Sequence, residues 1–149
     1  MDTDRTPAEI IEMLGDPIDI TTRADLLADG ALIEAREDLA RDARFRVPVA
    51  LTRAAWTDCV EWTDEDTDRT GMPLDAAGRL YDVLWMAGLA MRAARPTGPA
   101  RIPFRVARVD RDGLPGDDGI EPTEVPLTVE LGTDHEGAPC VTIALRGED

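Results

Sequence analysis

The sequence predicts an α+β domain: N-terminal helices, one of them long and buried, packed on a C-terminal three-stranded antiparallel meander. Two observations carry this. Up to about residue 95 the apolar residues recur every three or four positions, the period of one helix face; beyond "RPTGP" (Arg95 to Pro99) they recur every second position, the period of a half-buried strand. A third observation sets the scale. A chain of 149 residues with 43% hydrophobic content holds one core and is too short for two of ordinary size. We assign 20–149 to a single domain and 1–19 to a loosely attached arm.

The arm carries one short helical signal, "PAEIIEMLG", with Pro7 suited to a helix start and Gly15 to a stop. Thr22, with Asp25 three residues on, caps the helix of "TRADLLADG", which Gly30 terminates. A brief extended piece follows at Ala31 to Ile33, then a polar helix with Leu39 and Ala43 inward, until Pro48 breaks regular structure. Thr52 caps "RAAWTDCVEW", where Ala55, Cys59 and Trp62 keep helical spacing and Trp56 and Val60 widen the stripe.

Pro73 opens the strongest helix. Leu74, Ala77, Tyr81, Leu84, Gly88 and Met91 give its rhythm, and Leu80, Trp85 and Leu89 extend the apolar face, so it is expected to be central. The small residues Ala87, Gly88 and Ala90 permit close packing, within the domain or across a homodimer. Strands then follow with Ile102, Phe104 and Val106, with Val125, Leu127, Val129 and Leu131, and with Val141, Ile143 and Leu145 facing inward. "DRDGLPGDDGIEP" and "GTDHEGAP" read as loops, the second closing a hairpin.

The net charge is −15, and the chain has 16 arginines but no lysine, serine, asparagine or glutamine. A GC-rich genome adapted to salt accounts for this composition; so does a role for the charge. In either case such a chain repels nucleic acid and anionic membranes, so neither direct nucleic-acid binding nor membrane binding is expected. A protein partner is expected, a basic one if the charge has a role, and a nucleic-acid mimic that blocks a defence nuclease or another basic DNA-binding protein is the sharper form of that idea. The longest apolar run, Val83 to Met91, is about half a bilayer span, and the N-terminal residues lack a signal peptide's basic start and apolar run. A cytoplasmic protein is expected. Cys59 and Cys140, far apart and without C-x-x-C spacing, suit half-buried thiols in a reducing compartment.

"CVEWTDEDTDRTG" (Cys59 to Gly71) places Glu61, Asp64, Glu65, Asp66 and Asp68 within eight residues between two helical stretches. These five are the candidate interaction surface. Asp64, Asp66 and Asp68 also fall at positions one, three and five of a twelve-residue calcium loop, with Asp75 at position twelve. These four are the candidate metal ligands. Position six, however, is Arg69 instead of glycine, and Asp75 is one methylene shorter than the usual closing Glu. A solvated connection between helices is the simpler reading.

Other chemistries find little support, and enzymatic function is disfavoured. Serine is absent; the lone His135 sits in a turn five residues before Cys140, a thinkable but weak catalytic pair. One His and two distant Cys make no zinc set. "DGLPGDDG" has three glycines, but its three aspartates repel phosphate. No cofactor is indicated. Charge is more informative: Arg92 to Arg111 holds six arginines against one acid, whereas Met1 to Thr70 holds 18 acids and 8 arginines, a net −10. Arg101 and Arg105 on the first strand are expected to pair with Glu124 and Glu130 on the next. Trp56, Trp62 and Trp85 lie on helix faces expected to meet in an aromatic core cluster.

"TTRADLLADGALIE", "PVALTRAAWTDCVEWTDED", "AGRLYDVLWMAGLAMRAA", "PFRVARVDRDG" and "GAPCVTIALRGED" together resemble a domain-of-unknown-function family carried on bacterial plasmids, phages and conjugative elements. The resemblance runs from about Ile20 to the end. Family members usually place an aromatic residue and a more alternating segment before Thr-Arg-Ala, where this chain has "DPIDIT". The resemblance implies a mobile-element accessory protein and assigns no catalytic residue.

Overall fold

The computed structural model describes residues 21–113 and 121–148, so the arm at 1–19 and the middle of the long loop lie outside the described residues. Helix α1 (Arg23–Asp29) begins where Thr22 accepts from the Asp25 N–H and Asp25 accepts from the Thr22 N–H, the reciprocal box the sequence anticipates. It ends at Gly30 in the left-handed region (φ 84°). Strand β1 (Leu32–Glu34), α2 (Glu37–Asp42) and β2 (Val49–Thr52) follow. The Thr52 hydroxyl then accepts from Ala55 N–H and starts α3 (Arg53–Cys59). Next come α4 (Asp64–Thr70) and the 19-residue α5 (Ala76–Ala94), capped by Asp75 instead of opened by Pro73. The chain closes with β3 (Ala100–Arg108), β4 (Thr123–Thr133) and β5 (Pro139–Leu145).

The architecture is α+β, with five helices and five strands among the described residues. The sheet runs β1-β2-β5-β4-β3. Its last three strands form the expected antiparallel meander, but β2 lies parallel to β5 and β1 antiparallel to β2, so the sheet is mixed and larger than the sequence reading. The missed strand β2 has a physical reason. Val49, Ala50 and Leu51 are all buried, and a strand covered on both faces shows a short continuous apolar run with no alternation to recognise.

Helix α5 lays Leu80, Val83, Leu84 and Ala87 into the core shared with Phe104, Leu127, Val129 and Ile143. Each of these side chains except the small Ala87 contributes roughly 1.5–3 kcal/mol by leaving water. The buried stripe is rotated from the one expected: Leu89 stays 41% exposed and Trp85 only half-buried, whereas Val83 and Ala87, outside the expected stripe, are buried. Gly88 lets α2 and α5 meet, because a Cβ there would lie 3.0 Å from the Ala43 carbonyl oxygen. The small residues of α5 thus serve packing inside the domain.

Candidate functional site

The acidic segment forms a helix, α4, where the sequence reading expects a loop. The Thr63 hydroxyl accepts from Asp66 N–H at 3.2 Å, Asp66 Oδ2 accepts from Thr63 N–H at 2.8 Å, and Gly71 (φ 74°) ends the turn. "DEDTDRT" contains no apolar side chain, so α4 depends on polar anchors. Trp62 Nε1 donates to Thr67 Oγ1 at 2.9 Å, and the Asp66 carboxylate accepts from Arg69 Nη2 at 2.7 Å and from Arg111 Nε at 2.8 Å. Arg69 also donates to the Arg111 carbonyl. Burial favours the neutral acid, but the Thr63 N–H and the two guanidinium groups prevail and hold the Asp66 carboxyl well below the usual carboxylate range.

This geometry divides the five acids. Asp66 is 3% exposed and therefore leaves the candidate interaction surface; Glu61 is half-buried and lies 2.9 Å from Arg111 Nη1. Asp64, Glu65 and Asp68 remain exposed. A calcium loop needs its carboxylates to converge from turn backbone, whereas here Asp64 and Asp68 share one helix face, Asp66 points to the other, and Asp75 accepts from Gly78 N–H at 2.6 Å as the cap of α5. Among the described residues no three His, Cys, Asp or Glu side chains group to hold a metal ion.

The basic run at the end of β3 is the counterpart of the acidic segment. Arg108 Nε lies 2.6 Å from Asp58 Oδ1, and Arg111 clamps Asp66 and Glu61. Beneath them Arg79, 6% exposed, donates to the carbonyls of Val109 (2.7 Å), Val60 (3.2 Å) and Asp58 (3.3 Å) and stacks 4.8 Å over the Trp62 ring. Sequence reasoning missed Arg79, although it falls at three and four residues from Ala76 and Val83 on the buried stripe. Farther along the sheet the expected pairs form: Arg101 with Glu130 at 2.8 Å and Arg105 with Glu124 at 4.0 Å.

The tryptophans do not form one cluster. Trp62 is under Arg79, Trp56 packs against the core from α3, and Trp85 stacks with Tyr81 (6.2 Å between centroids) on the outer side of α5. Both cysteines are free and buried, and burial pushes the Cys59 thiol up to about 11, which leaves it inert at neutral pH. His135 and Cys140 do line one cavity, of about 440 Å³, with Arg23, Glu34, Pro48 and Asp134, but no residue of the acidic segment borders it.

A second cavity, of about 390 Å³, opens between α5 and β3, bordered by Tyr81, Asp82, Trp85, Met86, Arg105 and Ala107 among others. Burial raises the Asp82 carboxyl above its ordinary value despite the nearby Arg79, and Asp82 has no ion-pair partner among the described residues. No helix among the described residues is long and apolar enough to cross a membrane. Compared with protein-family models, curated proteins and solved structures, the chain matches none of them.

Proposed function

We propose that this chain is a non-enzymatic accessory protein of a mobile element and acts by binding a basic partner protein. The observation that supports this most is the division of labour on α4. Asp66 faces inward and fixes the helix through Arg69 and Arg111, while Asp64, Glu65 and Asp68 stand exposed on a support with no apolar residue of its own. A net charge of −15 adds a long-range field that speeds encounter with a basic surface and repels nucleic acid. The nucleic-acid-mimic form has less support. A mimic needs an unbroken row of carboxylates, and the exposed pairs Arg36–Asp38, Arg41–Glu37 and Arg101–Glu130 interrupt the negative surface.

The test is an affinity pull-down from a lysate of the host cell, washed at low and high salt, with captured proteins identified by mass spectrometry. A basic protein should be retained at low salt, lost at high salt, and lost from the triple variant Asp64→Asn, Glu65→Gln, Asp68→Asn. Capture of no basic protein at either salt would overturn the reading.

A further inference from the structure

Helices α1 and α4 stop at glycines in the left-handed region, Gly30 and Gly71, the residue type that this conformation suits. Helices α2 and α5 stop differently. The residues in that region are Arg44 (φ 73°) after α2 and Arg95 (φ 49°) after α5, where a side chain is disfavoured. Neither of these guanidinium groups has an ion-pair or hydrogen-bond partner among the described residues, although the chain holds 31 acids against 16 arginines.

The two helix ends lie together. Gly88 brings α5 against the chain at Ala43, Arg92 Nη1 reaches the Ala43 carbonyl at 3.4 Å, and Arg44 is the next residue. Arg95 stands one turn beyond Arg92. Three exposed arginines are thereby gathered where the C-terminal ends of α2 and α5 meet. Asp42 is within ion-pair distance of none of them, and Asp82 lies nearly three turns back along α5. From Val83 to Ala100 the sequence contains no acid at all. The dipole of α5 accounts for a cation in its last turn, which Arg92 supplies. It does not call for arginine at the left-handed positions, which glycine would fill more easily.

This face is not only basic. The Arg92 guanidinium lies 5.4 Å over the Trp85 ring, and Leu89, one turn before Arg92, is 41% exposed. We propose that Trp85, Leu89, Arg92 and Arg95 of α5, with Arg44 beside them, bind an acidic segment of a partner protein that carries a leucine or similar apolar residue among its carboxylates. The planar arginine forks take the carboxylates, and Leu89 takes the apolar side chain. The inference goes beyond the basic-partner reading, because it adds a second contact surface of opposite sign. Helix α5, about 28 Å long, separates it from α4.

The mixture of charge and apolar surface selects this occupant. A nucleic-acid strand or an anionic membrane is an extended polyanion and meets the field of a chain at −15, whereas a short segment meets only the local arginines. Free phosphate has nothing to set on Leu89. A second copy could offer Asp64, Glu65 and Asp68, but its α4 has no apolar residue for Leu89 either.

The test is fluorescence anisotropy of labelled, end-capped nine-residue peptides on the intact chain. The probe has a central leucine, two glutamates on each side of it and glycine elsewhere; one control replaces leucine by alanine, another replaces glutamate by lysine. The glutamate–leucine peptide should bind, and more weakly as salt rises. Arg44→Gly and Arg95→Gly separate binding from folding. Glycine suits both positions, so each variant should fold at least as stably as the parent while binding the peptide about tenfold more weakly. Leu89→Ala should weaken the leucine peptide and leave the alanine peptide unchanged. The lysine peptide should be indifferent to all three substitutions.

No binding of the glutamate–leucine peptide, or binding that both glycine variants leave unchanged, would overturn the proposal. Equally tight binding of a five-nucleotide single strand at the same arginines would overturn it too, since phosphate would then be the ligand. So would a dimer in light scattering that Arg95→Gly dissociates, which would put a second copy on this face. In each case the lysate experiment still judges the basic-partner reading separately, because its variant alters α4 alone.

Discussion

Arg111 Nε lies 2.8 Å from Asp66 Oδ2, and through this contact the turn after β3 holds α4 against the body of the protein. The pair joins the basic end of the strand segment to the centre of the acidic segment. Because Asp66 is nearly inaccessible and also accepts from Thr63 and Arg69, removing either charge strands the other's donors or acceptors.

Asp66→Ala should destabilise the chain by about 2–4 kcal/mol, combining loss of the helix cap with loss of charge-assisted hydrogen bonds. Arg111→Met should cost less, about 1–2 kcal/mol, since Arg69 still serves the carboxylate. Urea unfolding followed by tryptophan fluorescence, run as a double-mutant cycle, should return a coupling of at least about 1 kcal/mol. Additive losses would mean that the contact contributes nothing.

Acid should act through the same carboxyl. The native value of Asp66 is depressed, so its stabilisation is complete above the ordinary Asp value near 4 and is lost as pH falls toward the depressed native value. Stability of the parent chain should therefore drop steeply below about pH 4, and Asp66→Asn, less stable at pH 7, should show a shallower acid limb. Asp82 has the opposite sign: its raised value means that ionisation opposes folding, so Asp82→Asn should raise Tm at pH 7 and have no such effect at pH 3. Thermal melts across pH 3–8 check both.

Arg79 holds three carbonyls from two distant segments, those of Asp58 and Val60 at the end of α3 and that of Val109 just after β3. Lysine keeps the charge but not the planar fork, and it cannot reach all three or stack as well on Trp62. Arg79→Lys should cost about 2–3 kcal/mol, close to the effect of Arg79→Met, because geometry matters here more than charge. Near-ultraviolet circular dichroism should change in both variants, since Trp62 loses its stacked guanidinium.

The elements that declare themselves through period and punctuation were legible: the Thr22 and Thr52 caps, the Gly30 stop, the alternating strands, and the Arg101–Glu130 pair across them. What was hidden depends on contacts between distant segments. Val49–Leu51 has no alternation because neighbours cover both its faces, and nothing local reveals that β2 sits parallel to β5. Likewise Asp64, Asp66 and Asp68 were read as one acidic patch; the Thr63–Asp66 spacing is a local mark of a helix cap, but the contact with Arg111, more than forty residues away, is not visible along the chain. The exposed side of α5 was illegible for the same reason, since Leu89 and Trp85 fit its helical rhythm and only packing shows which part of that wide stripe stays outside.

Gly88 tests how closely α5 and α2 are fitted. In an unconstrained helix, alanine in place of glycine gains about 1 kcal/mol from backbone propensity. Here the added methyl would sit 3.0 Å from the Ala43 carbonyl oxygen and 3.0 Å from Arg92 Nη1. The guanidinium can swing aside, but the carbonyl belongs to the chain just after α2 and is tied to its neighbours: Ala43 N–H bonds to Leu39, and the next residue, Arg44, has φ 73°. Overpacking of this kind costs about 1–3 kcal/mol, so the clash should outweigh the propensity and Gly88→Ala should destabilise by about 1 kcal/mol. Chemical denaturation decides the sign: a more stable Gly88→Ala variant would show that α2 can move outward freely, and that the close approach is incidental to the fold.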